Sequence, residues 1–258
     1  MTIDSLNELL TELDAWAKAD MTAELWWRDD DAGEPCVELD TLFRFSDQHS
    51  VPCGLAAVPA WAGEPLRKDL SNQPHIWILQ HGYAHINHVP GSGKAWELGK
   101  HRPTSIILEE LRAGMLKFTQ LFKNRFVPVL VPPWNRMDPE LLPYLSVMGY
   151  RGVSTSYSKH RPLPLDNLRV ADAHCDVLRW KEKPARFAGT EKCVKLIVNH
   201  LRDKRTGQTD ETEPTCVLTH HQVMDQGAWD FMDTLFSLTN GHSAASWLSP
   251  TDIWPATT

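Results

Sequence analysis

The chain has 258 residues, a formal net charge of −7, and 42% hydrophobic against 23% charged residues. This composition is typical of globular proteins and excludes wholesale disorder, and the acidic balance argues against a basic nucleic-acid-binding surface. No apolar run approaches the roughly 18 residues of a membrane span, and residues 1–20 lack the basic start and apolar block of a targeting segment. The five cysteines form no C-x-x-C pair. We therefore expect reduced, buried thiols and a cytoplasmic protein without membrane or nucleic-acid partners.

Helical and strand-like segments alternate along the chain. The first, over residues 4–19, is an amphipathic helix that could cover the bottom of a barrel or pair with another subunit. The chain after residue 249 is expected to be irregular. The apolar spacing predicts further helices over residues 35–47, 104–123, 138–148, 191–201 and 229–238, and strands over 24–28, 53–58, 76–79, 127–131, near 153, 168–170, 177–180 and 216–219.

This order of elements indicates parallel strands joined by crossover helices. Open doubly wound sheets and closed barrels both satisfy it, and the length favours a barrel. We predict an α/β fold, a distorted (β/α)7-type barrel with parallel strands and an added N-terminal helix. It would form a single domain over residues 1–258, with the helix in 1–20 and the barrel in 24–247. In such folds the functional site lies at the carboxyl ends of the strands.

The first candidate cluster at a strand end is Asp29, Asp30 and Asp31. Adjacent carboxylates repel one another and lose solvation when buried, so the cluster is stable either on the surface or around a cation. The preceding Leu25-Trp26-Trp27 segment favours a strand that enters the core. The acidic cluster is therefore a candidate cation site.

A second cluster, His81-Gly82-Tyr83-Ala84-His85, follows the strand predicted at 76–79. Histidines four residues apart can share one metal ion, although an isolated H-x-x-x-H pattern is usually accidental. The position of His81 and His85 directly after a strong strand favours metal binding.

Two further segments also follow strands. Pro132 and Pro133 end one strand rigidly and place Trp134 on a loop, either as a lead-in to the next helix or as a substrate wall whose backbone N–H could bind an anion. His220 follows the strand at 216–219, where it could serve as a general acid or as a structural histidine.

Taken in chain order, these segments resemble the motifs of the polysaccharide deacetylase family, carbohydrate esterase family 4. That family's motifs run Thr-Phe-Asp-Asp-Gly, His-Ser/Thr-x-x-His, Arg-x-Pro-Tyr/Trp, an Asp/Trp segment and Leu-x-His. The similarity spans about residues 24–221, and its most specific parts are the Asp pair and the His pair.

The resemblance implies a role for each matching residue. It makes Asp30 the catalytic base and His220 the catalytic acid, with water activated at one divalent ion, most simply Zn²⁺, with Co²⁺, Ni²⁺ or Mn²⁺ as alternatives. Leu218 would belong to a pocket for the acetyl methyl group. The implied metal ligands are Asp31, His81 and His85, and the implied substrate-binding residues are Pro133, Trp134, Arg136, Asp176, Trp180 and Leu218.

The sequence departs from the family pattern at several positions. Asp29 replaces Phe, Ala32 replaces Gly, and Val131 stands where the family has the arginine that orients the base. Either Arg136 or Arg28 could substitute for that arginine. The sequence leaves open whether Asp29 joins the metal shell and whether His220 or His221 faces the site.

The function implied by the resemblance is metal-dependent removal of an N- or O-linked acetyl group from a carbohydrate or related small substrate. Two alternatives remain: hydrolysis of a non-sugar C–N bond on the same scaffold, and carbohydrate binding without catalysis. The protein could also form a homo-oligomer. The loop over residues 88–97 directly follows the His pair and could act as a lid.

Overall fold

A computed structural model describes residues 3–158, 168–181 and 183–256. No helix among these residues is long and apolar enough to cross a membrane. The helices are α1 Ile3–Lys18, α2 Val37–His49, α3 Glu64–Asp69, α4 Thr104–Phe122, α5 Leu142–Met148, α6 Thr190–Arg205, α7 Gln226–Asn240 and α8 Pro250–Ile253. The strands are β1 Ala23–Ala32, β2 Cys53–Ala57, β3 Ile76–His81, β4 Phe126–Val131, β5 Gly152–Val153, β6 Arg169–Val170, β7 Ala173–Asp176, β8 Leu178–Arg179, β9 Arg186–Phe187, β10 Thr215–Thr219 and β11 Ala245–Trp247.

Nine strands form one curled, parallel sheet. Its order is β6-β5-β4-β3-β2-β1-β10-β7, with β11 paired to the start of β1. Hydrogen bonds from Ala173 N to Thr155 O (2.7 Å) and from Tyr157 N to Ala173 O (2.9 Å) bring β7 to the segment after β5. The predicted distorted parallel barrel is confirmed. A separate antiparallel hairpin, β8–β9, lies outside it.

The alternation of side chains along β1 separates two apolar layers. Trp26 points into the barrel, where it meets Trp254 edge-to-face at 5.3 Å, and belongs to the inner cluster. Trp27 points outward into the larger cluster between sheet and helices, where it packs on Phe236 at 5.1 Å. Both tryptophans are fully buried. Because successive side chains of a strand face opposite sides, one strand supplies both cores.

The bottom of the barrel is covered by the C-terminal segment, not by the N-terminal helix. Trp254 donates from Nε1 to Arg169 O (3.0 Å), and Arg169 Nη1 donates to Ile253 O (2.7 Å). A Cβ at Gly152 would clash with the Trp254 ring, so a glycine is required beneath it. Helix α1 instead packs along α6 on the outside, with Leu13 buried between them. Of the two roles left open for this helix, covering the barrel bottom is not the one the structure shows.

Several element boundaries also differ from those predicted. β1 continues through the acidic cluster to Ala32, since Asp29 and Asp30 have partners that allow their burial. The strand predicted at 177–180 is present as β8, but it belongs to the separate hairpin, and the barrel strand β7 precedes it over Ala173–Asp176. The tail after residue 249, expected to be irregular, begins with α8, which Ser249 caps. The strand β11 just before it was also not predicted, and Leu248 N bonds Leu25 O at 2.8 Å there. Short elements of this kind depend on tertiary partners that local patterns do not reveal.

Candidate metal and active site

The candidate site lies at the carboxyl ends of the strands. A cavity of about 360 Å³ opens there, within the range of about 300–1,000 Å³ typical of small-ligand sites. Its wall combines the ends of β1, β3, β7 and β10 with the loop after β4. The described residues that line it are Asp30, Asp31, His81, His85, Trp134, Asn135, Arg136, Ser156, Asp176, Trp180 and His220.

A bulge at the end of β1 allows two successive aspartates to face the cavity. In a regular strand Asp30 and Asp31 would point to opposite faces. The register with β2 shifts between Asp29 and Ala32, and Asp31 has a φ of 71°, so its side chain turns back to the side of Asp30. Such bulges re-aim side chains at functional sites. Asp29 keeps the outward orientation of Trp27 and does not line the cavity.

Asp31, His81 and His85 converge on one point. The Nε2 atoms of His81 and His85 lie 3.1 and 3.2 Å from the same Asp31 Oδ1 atom. A tetrahedral ion with metal–ligand distances of about 2.0–2.1 Å places its ligand atoms about 3.3–3.4 Å apart. Burial alone would raise the pKa of Asp31, but the hydrogen bonds from His81 and His85 hold it well below its usual value. The spacing and chemistry of these three groups fit a divalent ion such as Zn²⁺.

The orientation of the His81 ring supports this interpretation. His81 Nδ1 lies 3.0 Å from Val131 O. A carbonyl oxygen only accepts, so Nδ1 carries a proton, and Nε2, which donates to Asp31 in the metal-free protein, is the nitrogen that would bind an ion after releasing its own proton. Metal-ligating histidines are usually oriented in this way by a backbone or carboxylate partner.

Arg28 is the arginine that contacts Asp30. Its Nε lies 2.9 Å from Asp30 Oδ1, and its Nη2 donates to Asp30 Oδ2 at 3.0 Å. Arg28 is fully buried and Asp30 is 1% exposed. Two residues apart on one strand, the two side chains lie on the same inner face, so β1 supplies both the carboxylate and its cation. Of the two arginines left open by the sequence, the structure brings Arg28 to Asp30.

The rest of the Arg28 guanidinium is held from two other strand ends. Nη2 also donates to Asn135 Oδ1 at 2.6 Å, and Nη1 donates to Ser154 Oγ at 2.7 Å. Asn135 and Ser154 were missed in the sequence, since neither lies in a pattern that predicts contact with Arg28. Arg136 Nη1 donates to Ala95 O at 2.9 Å, and Arg136 lines the cavity.

His220 approaches Asp30 from the end of β10. Its Nε2 lies 4.0 Å from Asp30 Oδ2, and Trp180 meets its ring edge-to-face at 4.6 Å. Trp180 Nε1 donates to Asp176 Oδ2 at 2.7 Å, which fixes the indole against the imidazole. The structure therefore brings His220, Asp176 and Trp180 to one wall of the cavity, as the resemblance implies.

Asp29 and His221 form a separate buried pair behind that wall. Asp29 accepts from His221 Nδ1 (2.5 Å), His221 N (3.0 Å) and Thr219 Oγ1 (2.6 Å). Burial disfavours the charged imidazole, but the Asp29 carboxylate outweighs this and raises the pKa of His221. His220 thus faces the cavity. The pair of His221 and Asp29 anchors the segment that carries His220, because Asp29 belongs to β1.

Pro133 and Leu218 are buried next to the cavity, and neither is among the described residues that line it. Leu218 belongs to the inner apolar cluster, below the level of His220. Pro133 lies against Gly82 and leads into Trp134, whose ring is 4.3 Å from that of His85. Trp134 itself lines the cavity.

Backbone strain is concentrated at this site. Asp31, His85, Trp134 and Asn135 all have φ between 53° and 71°. Non-glycine residues adopt this left-handed region at a cost, and such residues cluster where function requires a particular side-chain direction. Four of the seven described non-glycine residues with positive φ lie at this cavity. This concentration favours a functional site over an incidental cluster of polar residues.

A second group of metal-ligating residues, His174, His200 and Glu213, is buried near the bottom of the barrel. His174 Nδ1 accepts the Cys216 N–H at 3.0 Å, so the neutral ring carries its proton on Nε2, which lies 3.9 Å from Glu213 Oε1. A protonated nitrogen cannot bind a metal ion. His200 Nδ1 contacts Thr215 Oγ1 at 2.9 Å. This group is better explained as a structural hydrogen-bond network.

Comparisons with known proteins bear on the fold. No protein-family model and no curated protein sequence matches the chain. Among solved structures, a Mycobacterium smegmatis protein assigned to the polysaccharide deacetylases is similar over 90% of this chain and 89% of its own, with a TM-score of 0.65 and 17% identity. The Bc1960 peptidoglycan N-acetylglucosamine deacetylase is similar over 95% and 97%, with a TM-score of 0.56 and 13% identity.

A mutant of BA3943, described as a pseudoenzyme of carbohydrate esterase family 4, is also similar. It covers 90% of this chain and 67% of its own, with a TM-score of 0.52 and 13% identity. The fold is therefore shared by catalytic and non-catalytic proteins, and function must be argued from the site. These similarities show that the chain has the barrel fold of the polysaccharide deacetylases.

Proposed function

We propose that the chain is a divergent polysaccharide deacetylase, a metal-dependent hydrolase that removes an N- or O-linked acetyl group from a carbohydrate or related substrate. The observation that carries the proposal is the pairing of Asp30 with Arg28 directly beside the three converging donors of Asp31, His81 and His85. A structural role for the donors alone would not require an oriented carboxylate on the cavity wall. The proposal includes a cytoplasmic location, consistent with five free cysteines.

The residues divide the chemistry among them. Asp31, His81 and His85 would hold the ion, and a divalent ion bound there supplies Lewis-acid activation of water and of the acyl carbonyl. Asp30, held in orientation by Arg28, accepts the proton of the attacking water. His220, whose Nε2 lies 4.0 Å from Asp30 Oδ2, donates a proton to the leaving nitrogen or oxygen.

The cavity walls position the substrate. Trp134 and Trp180 present aromatic surface on which a sugar ring can stack, and Arg136 and Asp176 offer polar contacts between them. The cavity volume of about 360 Å³ suits a small ligand or one unit of a larger one. The backbone N–H of Trp134 is retained as a candidate donor to the developing oxyanion, and loss of such a donor typically lowers kcat about 10²–10³-fold.

Acetate release tests this function. Protein reconstituted with Zn²⁺, Co²⁺, Ni²⁺ or Mn²⁺ is assayed on N-acetylated and O-acetylated sugars of one to four units. We expect turnover by the wild type and by Asp40→Asn, which alters an exposed aspartate of α2. Asp30→Asn should reduce kcat on the order of 10²–10⁴-fold while metal still binds, because the base is lost and the three metal-donor side chains are kept.

Other outcomes would reassign the function. Hydrolysis of non-sugar amides, with no acetate released from acetylated sugars, would assign the protein to amide substrates outside carbohydrates. Sugar binding with no turnover in the presence of any of the four metals would identify a carbohydrate-binding protein.

A further inference from the structure

The turn that carries the second metal-donor histidine is built around a buried carboxylate. Glu97 is fully buried, and its side chain accepts hydrogen bonds from three successive backbone N–H groups. Tyr83 N and Ala84 N donate to Oε1 at 3.3 and 2.8 Å, and His85 N donates to Oε2 at 3.2 Å. Successive N–H groups directed at one point form an anion-binding concavity, and here the anion belongs to the protein itself.

Gly82 makes room for this carboxylate. Its φ is 54°, and a Cβ at this position would clash with Glu97 Oε2 and lie 2.6 Å from Pro133. The sequence has Gly82 where the family pattern has Ser or Thr. The buried carboxylate of Glu97 therefore requires a glycine at position 82, 15 residues earlier in the chain.

The turn requires such support because His85 has a φ of 56°. A residue in the left-handed region keeps that conformation only when its surroundings impose it. The bond from His85 N to Glu97 fixes the backbone at the residue whose Nε2 must lie 3.2 Å from Asp31 Oδ1. A small rotation at this backbone would move the imidazole out of reach of the shared point.

The segment containing Glu97 is itself tied to the barrel. Arg102 Nη1 donates to Glu97 O at 3.3 Å, and its guanidinium pairs with Glu110 on α4. Arg136 Nη1 donates to Ala95 O from the cavity wall. These bonds connect the loop to α4 on one side and to the cavity wall on the other. A lid that opens and closes would be attached more loosely.

We propose that Glu97 is a positioning residue for the metal site, and that its carboxylate holds His85 in the conformation that binds the ion. The loop over residues 88–97 is then a fixed strap and not a lid. The inference rests on the metal site of the proposed function, but its structural part concerns the metal-free protein and can be tested there.

The test compares Glu97→Gln with Glu110→Gln. The glutamine at 97 keeps one acceptor oxygen and directs an NH₂ group at backbone N–H donors, whereas the glutamine at 110 weakens the pair with Arg102 and leaves the turn intact. Two quantities are measured: the Zn²⁺ dissociation constant by competition with a chromophoric chelator, and amide hydrogen exchange of the peptide spanning residues 82–98 in metal-free protein.

We expect Glu97→Gln to weaken Zn²⁺ binding about 10- to 100-fold, as is typical for partners that orient ligands, and to accelerate exchange of the 82–98 peptide. Glu110→Gln should change the affinity less than about threefold. If Glu97→Gln does not fold, Glu97→Asp replaces it, because the shorter side chain cannot reach all three N–H groups.

The outcomes separate the two proposals. Unchanged exchange in the metal-free Glu97 variant overturns the positioning role, whatever the metal data show. If the wild type binds Zn²⁺ and the Glu97 variant binds it with equal affinity, the positioning role is overturned too. A wild type that binds no divalent ion, together with faster exchange in the variant, supports the fixed turn and refutes the proposed metal-dependent function.

Discussion

Replacement of Arg28 by methionine should both destabilise the fold and change its dependence on pH. Arg28 is fully buried and contacts Asp30, Asn135 and Ser154, and Asp30 is 1% exposed. Methionine has a similar length and fills the space without a charge. The variant therefore leaves the Asp30 carboxylate buried without its cation.

The size of the effect has an upper and a lower estimate. Removing one partner of a buried ion pair typically costs about 3–5 kcal/mol of unfolding free energy. The loss of unfolding free energy at pH 7 also has a limit. The folded variant can take up a proton on the unpaired carboxylate, and protonating an ordinary aspartate, with a pKa of about 3.9, costs about 4 kcal/mol at pH 7. We expect Arg28→Met to lose about 3–4 kcal/mol at pH 7.

The sign of the pH dependence follows from the same reasoning. In the variant, burial without a cation disfavours the charged carboxylate in the folded state, so the folded state binds more protons than the unfolded chain above about pH 3.9. Stability relative to wild type then falls as the pH rises from about 4, with a slope of up to about 1.4 kcal/mol per pH unit.

Urea unfolding of metal-free protein between pH 4.5 and 7.5 measures both effects. Arg136→Met is the matched control, because Arg136 bonds a backbone carbonyl and is only partly buried. Equal destabilisation by the two substitutions, or a difference that does not change with pH, would refute the assignment of Arg28 as the buried partner of Asp30.

Three further predictions concern other parts of the structure. Asp29→Asn should lower the unfolding free energy most below about pH 6.5, and its difference from wild type should shrink as the pH rises. The reason is that the pKa of His221 is raised in the folded state, so the stabilisation by the Asp29–His221 pair is lost above that pKa. A difference in urea unfolding that stays constant with pH would contradict this. Trp254→Ala should lower the unfolding free energy by about 3–5 kcal/mol because it empties the space beneath Trp26, and a loss under 1 kcal/mol would exclude its role as the barrel's lower cover. Trp180→Ala removes a side chain that is 49% exposed on the cavity wall, so it should raise KM with a Tm shift below about 2 °C, and an unchanged KM would exclude it from substrate binding.

The sequence predicts the residues that line the site better than the residues that hold them in position. Asp30, Asp31, His81 and His220 lie at the ends of three apolar segments, and parallel strands bring their carboxyl ends to one edge of the barrel. That argument needs only the order of the elements, and it holds even though β1 extends farther than predicted. The strand appeared to end before Asp29 because aspartates are depleted in strands.

The supporting contacts could not be predicted because they join positions that no local pattern links. Asn135 reaches Arg28 from the loop after β4, and Glu97 fills the turn of His85 from 12 residues farther along the chain. Gly82 offered a signal, since a glycine within the His pair indicates either positive φ or a close approach. The sequence alone did not identify the approaching group as Glu97.

The central claim is that Asp31, His81 and His85 bind one divalent ion beside an oriented Asp30. The most direct measurement is the zinc content of tag-free protein after equilibration with Zn²⁺ and gel filtration, for the wild type and for His85→Ala. The account predicts about one zinc ion per wild-type chain and a large loss in the variant, because three converging ligands become two. Zinc-free wild type, or equal zinc content in both proteins, would contradict it.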